Sequence, residues 1–251
     1  MKILKNQSKN TQEDKGDLES DGKKIALYDI DKTSYRDFLL LDLVRYQYKT
    51  DILPESMLLA IEKDIESYSK QELTYEEMAR NVLEYWLRGL KGKTLEEVVN
   101  NTKNFFQTEG KKFLPFVQES IDLLKPTHDT YFVTAEPQFV AQEVTNIHQA
   151  TGYFSTIFEL KDGIFTGNVS SSLASKEKKG DVVRDLLKNH TYEKSFSFGD
   201  SDNDIEMLEG VEYPICVNPN PALTKVALEK GWSIKRPDEV ILFINAALTK
   251  S

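Results

Sequence analysis

The chain has 251 residues, 39% of them hydrophobic, which is enough for one large domain or for one core with a smaller insert. Its formal net charge is -9, from 32 basic and 41 acidic side chains, and no basic stripe with interleaved aromatics is present, which argues against a nucleic-acid partner. The single cysteine, Cys216, excludes an intramolecular disulfide framework and a thiolate metal site, no apolar run approaches the ~20 residues of a membrane helix, and no apolar segment backs the charged start of the chain, so the sequence reads as a soluble cytoplasmic protein.

Residues 1–22 are polar, mixed in charge and without periodicity, and read as a disordered tail. Residues 24–29 read as the first strand, whose apolar run from Ile25 to Tyr28 leads into Asp29-Ile30-Asp31-Lys32-Thr33. From Tyr35 the pattern turns helical. Leu39, Leu40, Leu43 and Val44 recur at helical spacing, and Pro54 opens a second helix with Leu58, Leu59, Ile61 and Ile65. Thr74-Tyr75-Glu76-Glu77 and Thr94-Leu95-Glu96-Glu97 each read as a capping box ahead of a further helix. Four helices in succession predict a helical subdomain over residues 35–112, inserted directly after the first strand.

Beyond the insert, strands and helices alternate. The pattern predicts a helix at 115–125, a strand at 130–134, a helix opened by Pro137, and two β runs at 156–160 and 164–169 around the Asp162-Gly163 turn. A helix at 179–188 follows, then strands at 195–198 and 213–217, a helix at 221–230, a short strand at 232–235 and a last helix at 237–248. Such alternation predicts an α/β fold with a mainly parallel, doubly wound sheet, its core domain made of residues 23–34 and 113–251. Cys216 reads as a buried core residue, and His128, His148 and His190 read as surface histidines.

Four stretches at or near strand ends carry chemistry. Asp29 and Asp31 would repel each other at the mouth of an apolar strand unless a cation neutralised them, and magnesium prefers such hard oxygen ligands. A plain turn, with Asp31 capping the next helix and Asp29 exposed, is the alternative. Thr134 offers a hydroxyl beside the amides that start a helix, which suits an anion or a simple cap. Lys179 stands at a helix start, where the dipole disfavours it unless it faces a phosphate; a solvated basic run is the alternative. Gly199-Asp200-Ser201-Asp202-Asn203-Asp204 crowds acids after an apolar strand and lacks the terminal glutamate of a calcium loop, so it points to another cation site.

Taken together these stretches resemble the haloacid dehalogenase superfamily of phosphohydrolases, in its phosphoserine-phosphatase-like branch, subfamily IB. Asp29-x-Asp31-x-Thr33 looks like the first motif of that family, Thr134 the second, Lys179 the third and Gly199-Asp200-x-x-x-Asp204 the fourth. The resemblance covers about residues 24–248. It implies a Rossmann-like core with a helical C1 cap, and a Mg2+-dependent phosphatase acting on a small phosphorylated metabolite. Asp29 would be the nucleophile and Asp31 the general acid and base. Asp29, Asp31 (through its carbonyl), Asp200 and Asp204 would form the metal site. Thr33, Thr134, Ala135, Lys179 and Asn203 would hold the phosphoryl group, and Asp37, Phe38 and Arg80 are candidate substrate contacts. Lys32, Ser34 and Glu136 depart from the family pattern, which favours a small residue, a large apolar residue and a small residue at those places. Phosphoserine phosphatases proper carry a glutamate where this chain has Phe38. A phosphotransferase of the same fold and a silent phosphate-binding module are the alternatives; the second would have no need of Asp31.

Overall fold

A computed structural model describes residues 22–249, so the tail expected over residues 1–22 lies, but for Gly22, outside the described residues. The chain enters β1 (Lys24–Tyr28) and then makes four helices, α1 (Leu39–Lys49), α2 (Glu55–Ser69), α3 (Tyr75–Leu90) and α4 (Leu95–Thr108). Alternation follows, with α5 (Pro115–Leu124), β2 (His128–Pro137), α6 (Gln138–His148), β3 (Gly152–Lys161), β4 (Ile164–Ser171), α7 (Lys176–Leu186) and β5 (Thr191–Gly199). It ends with α8 (Ile205–Glu209), β6 (Tyr213–Val217), α9 (Pro221–Lys230), β7 (Ser233–Lys235) and α10 (Val240–Thr249). The seven strands lie in the order β4-β3-β2-β1-β5-β6-β7. Every neighbouring pair is parallel except the β3–β4 hairpin.

β1 is the central strand because both its faces are apolar. Ala26 and Tyr28 join the cluster built with Phe116, Val117 and Ile121 of α5 and Val140 of α6, while Ile25 and Leu27 join the opposite cluster with Val182 and Val183 of α7 and Met207 of α8. Helices thus cover both faces, which is the doubly wound arrangement the alternation predicts. From β1 the sheet grows one way through β2 and β3 and the other way through β5 and β6. The carboxyl end of β1 is therefore a topological switch point, where ligands of such sheets bind.

Local chemistry explains several element ends. At α3 the Thr74 and Glu77 side chains satisfy each other's backbone amides. At α4 only half of the expected capping box forms: Thr94 Oγ1 accepts from Glu97 N at 3.1 Å, but the Glu97 carboxylate pairs with Lys93 at 3.0 Å instead. Asp162 and Gly163 both adopt positive φ, 54° and 78°, as a tight hairpin turn demands. β2, β3 and β5 run past their apolar stretches because strand pairing continues over polar residues. α7 begins at Lys176, ahead of the predicted start, and the five-residue α8 is too short to show a period.

The histidines correct the sequence expectation. His128 and His148 are buried and His190 is half-buried. His128 Nε2 meets the Lys194 carbonyl at 2.8 Å, and His148 packs edge-on against Phe113 with Nδ1 2.9 Å from Gln118 Oε1. Burial lowers the His148 imidazole to a pKa of about 4. A histidine near a helix end carries no periodic signal that would reveal such packing.

One apolar cluster runs from α1–α4 into the sheet layer. Trp86 of α3 joins the two. It is fully buried, its Nε1 donates to Gln47 Oε1 of α1 at 2.7 Å, and its ring stands edge-on to Phe139 of α6 and Phe158 of β3. The α3–α4 connection also hydrogen-bonds the hairpin strand, with Gly92 N donating to Phe165 O at 2.9 Å and Phe165 N to Lys93 O at 3.0 Å. No helix among the described residues is long and apolar enough to cross a membrane. Trp86→Ala is expected to cost about 3–5 kcal/mol, and Trp86→Phe less, in urea unfolding followed by far-ultraviolet circular dichroism; a cost under about 1 kcal/mol for the alanine variant would contradict this packing.

Candidate active site

Three adjacent strands, β2, β1 and β5, deliver Thr134, Asp29 and Asp200 to one edge of the sheet. The Asp29 amide donates to Phe198 O at 3.0 Å, which ties the exit of β1 to β5. Lys179 enters from the first turn of α7. It is buried, and its Nζ donates to Asp29 Oδ1 at 2.6 Å and to Asp204 Oδ1 at 2.7 Å. The other Asp204 oxygen accepts from the amides of Asp200 and Ser201, at 3.2 and 3.1 Å, and so closes the turn after β5. Gly199 is required there for space: a Cβ on it would stand 2.6 Å from Asp204 Cβ and 2.8 Å from Asp204 Oδ2.

Carboxylate oxygens of Asp29, Asp200 and Asp204 lie within 4.8 Å of one another, and all three residues are buried. Burial pushes the Asp29 carboxyl up to a pKa of about 7, with Lys179 opposing the rise and Asp204 and Asp31 adding to it. Burial, then Asp204 and Asp29, push Asp200 well above the carboxylate range. Burial works against the Lys179 charge, but Asp204 and Asp29 outweigh it and hold the ammonium above the usual lysine range.

Asp31 is not one of the three clustered acids. Its Oδ1 accepts from Leu39 N at 2.6 Å, so it also caps α1, and the two readings of this aspartate coexist. Burial raises its carboxyl to about 6, while the Leu39 amide, Glu136 and Lys179 oppose the rise. The departures in this loop have structural reasons. Lys32 adopts φ 57°, a left-handed conformation that a glycine takes freely, and its Nζ lies 3.9 Å from the centre of the Phe38 ring, a cation–π contact that offsets the strain. Ser34 is polar because its hydroxyl donates to the Asp29 carbonyl at 2.6 Å.

A cavity with an empty volume of about 380 Å³ opens over these groups. Asp29, Asp31, Thr134, Ala135, Lys179, Asp200 and Phe38 line it, as the sequence led one to expect, together with Lys32, Tyr68, Tyr75 and Ser201, which sequence reasoning missed. Tyr68 and Tyr75 sit on or beside apolar helical stripes, where nothing distinguishes a cavity-lining ring from a core one.

Other expected contacts lie elsewhere. Thr33 is buried with its hydroxyl donating to Asp200 Oδ1 at 3.3 Å, so it orients that acid and does not line the cavity. Asn203 is buried behind the turn, its Nδ2 without a partner, and does not line the cavity either. Asp37 is exposed and pairs with Lys112 at 3.3 Å. Arg80 is exposed on α3 beside a different groove, which it shares with Lys178. A charged residue on the outer side of an amphipathic helix is solvated there, which is why it stands away from the aspartates.

The chain matches the family model for haloacid dehalogenase-like hydrolases over residues 26–209. It is 31% identical over 107 residues to a phosphoserine phosphatase of Mycobacterium tuberculosis, covering 42% of this chain and 35% of that protein, so the matched stretch spans about a third of the relative's length. It is 26% identical over 163 residues to a histidinol-phosphatase of Neisseria meningitidis serogroup C, covering 61% of this chain and 72% of that one. Its fold superposes on a protein of unknown function from Bordetella pertussis Tohama I with a TM-score of 0.72 at 22% identity, over 86% of this chain and 99% of that one.

The raised Asp29 and Asp200 carboxyls bind protons more tightly in the folded chain than in the unfolded one. The stability that Asp29 contributes in this way is present below the usual 3.8 and is lost as pH rises through about 7. In a chelator the thermal midpoint is therefore expected to fall between pH 5 and pH 8; a midpoint that rises across that interval would contradict the clustered burial of the acids.

Proposed function

The chain belongs to the haloacid dehalogenase-like hydrolases, and on that footing we propose that it is a magnesium-dependent phosphatase that cleaves small phosphomonoesters through an aspartyl-phosphate at Asp29. The observation that carries this reading is the Lys179 ammonium held between Asp29 and Asp204 at the switch point of the sheet, with Asp31 two residues along the chain and outside that bridge.

The acid cluster suits a divalent cation. Three buried carboxylates face the single ammonium of Lys179, which leaves two negative charges to balance, and the donors are hard oxygens. Asp29, Asp200 and the Asp31 carbonyl would hold magnesium. Asp204 is committed to Lys179 and to the amides after β5, so its part is to position the lysine. Bound magnesium supplies charge neutralisation, which lets an anionic carboxylate approach a phosphoryl group.

Asp29 attacks phosphorus, the Oδ–P bond forms and the ester P–O bond breaks. Asp31 gives its proton to the departing oxygen. It then takes a proton from the water that attacks the aspartyl-phosphate, releasing phosphate and restoring Asp29. A carboxyl near 6 can serve in both directions at neutral pH. The Thr134 hydroxyl accepts from Glu136 N at 3.1 Å, which leaves its proton free for a phosphoryl oxygen beside Lys179. Residues 35–112 act as the cap and residues 23–34 with 113–251 as the core. This division is supported by Phe38, Tyr68 and Tyr75, which reach the cavity from the helical side. The small cavity favours a metabolite over a macromolecular phosphate.

Phosphate release from a panel of small phosphomonoesters, including phosphoserine, histidinol phosphate, glycerol phosphate, sugar phosphates and an aryl phosphate, tests the proposal. Release is expected with magnesium and not with EDTA, and Asp29→Asn is expected to lower it by about 10³-fold or more. No release from any ester above the level of that variant would contradict it.

A further inference from the structure

Next to the reactive aspartates lies a second cavity, with an empty volume of about 420 Å³, that the chemistry above does not use. Its walls are apolar, with Leu40, Ile65, Met78, Val82 and Leu83 among them, and its polar lining is Asp31 and Glu136, with the Tyr75 hydroxyl as the remaining polar side chain. Glu136 is 2% exposed, and neither of its carboxyl oxygens has a hydrogen-bond partner among the described residues. Burial, then the facing Asp31 carboxyl, push the Glu136 carboxyl well above the usual glutamate range, with the Leu40 amide opposing and Asp29 adding to the rise. Phe38, Tyr75, Asp31 and Ala135 line both cavities, so one ligand can span the two.

A buried carboxyl without a well-formed hydrogen bond is disfavoured, and beyond the Leu40 amide and the Tyr75 hydroxyl the apolar walls beside it supply no donor. A small residue at position 136 would avoid the difficulty and leave the cavity wholly apolar. We propose that Glu136 accepts a hydrogen bond from a hydroxyl or ammonium on the leaving group, close to the ester oxygen, while the hydrocarbon part of that group fills the pocket under α3. The orientation follows from the lining. Lys32, Lys179, Thr134 and Asp29 line the first cavity only, and the second holds no cation, so the phosphate lies over Asp29 and the alcohol portion lies against Glu136. The substrate class is therefore a phosphomonoester of an alcohol that carries a hydrocarbon arm and a neighbouring hydroxyl or amine. The inference rests on the phosphatase reading.

The test uses three esters with one carbon skeleton: 3-phenylpropyl phosphate and its 2-hydroxy and 2-amino derivatives. kcat/KM is measured for the full chain, for Glu136→Gln and for Glu136→Leu. The unaltered protein is expected to prefer a donor-bearing ester over the plain one by roughly tenfold to a hundredfold, and Glu136→Leu is expected to abolish or invert that ratio. Glu136→Gln, which keeps an acceptor oxygen but no charge, is expected to retain preference for the hydroxyl ester and to lose preference for the ammonium ester. Each ratio is taken within one protein, so a partly unfolded variant does not distort it. Equal loss of kcat on all three esters with the ratio intact would overturn the inference and assign Glu136 to positioning Asp31. That result leaves the phosphatase reading standing. Hydrolysis of a panel ester but of none of these three by the unaltered protein overturns the inference alone, and hydrolysis of neither set overturns both.

Discussion

The site depends on one buried cation. Lys179 is 2% exposed, and an ammonium at that depth persists only where carboxylates face it closely. Asp29 and Asp204 do so from different parts of the chain, one leaving β1 and the other closing the turn after β5. Replacing either partner would strand a charge, so the ion pairs tie the ends of two neighbouring strands to the start of α7. The same contacts hold the Asp29 carboxylate in one orientation, as a nucleophile requires. Asp200 adds a third acid that the lysine alone cannot balance, and this excess of negative charge suits the cluster to a cation.

The fold supplies the coincidence of these groups at little cost because β1 is central and parallel to both neighbours. Its apolar faces are covered by α5 and α6 on one side and by α7 and α8 on the other, which leaves its carboxyl end open to polar side chains. Space is decisive at the β5 exit. Gly199 has no Cβ, so Asp204 can fold back over the strand end and reach both the amides and the lysine. In Asp31 one carboxylate caps α1 and faces the cavity, so the start of the helical insert is fixed to the acid whose proton moves in the proposed reaction.

Much of this was legible in the sequence. Apolar runs of strand length separated by helical periods placed the sheet and the insert, because burial on both faces of a parallel strand leaves a continuous hydrophobic signature. Asp29, Asp31 and Asp200 were legible because ionisable groups at the ends of apolar strands demand partners, whereas Thr134 and Lys179, each open to a plainer reading alone, were legible through the family resemblance of the four stretches taken together. The direction in which a side chain points was not. Thr33 and Asn203 follow the motif acids yet turn into the protein interior, and Arg80 stands on the outer side of α3. Tyr68 and Tyr75 look like packing residues in a helical stripe but reach the cavity. His128 and His148 sit where connectors meet strands and helices, and tertiary packing that no local pattern records buries them.

The helical insert and the sheet meet over Asp31, between one cavity lined by two lysines, Thr134 and two of the clustered acids and another lined by hydrocarbon and Glu136. In the proposed reaction this difference orients the phosphoester before any chemistry begins. The central claim is that the group transferred passes through Asp29, and the measurement that reaches it most directly is chemical trapping during turnover. Rapid quenching of the magnesium-loaded enzyme with a hydrolysed ester, followed by borohydride reduction and peptide mass spectrometry, is expected to find homoserine in place of Asp29, the product of reducing an acyl phosphate. Steady phosphate release with Asp29 recovered unmodified, or with reduction at another carboxylate, would contradict it.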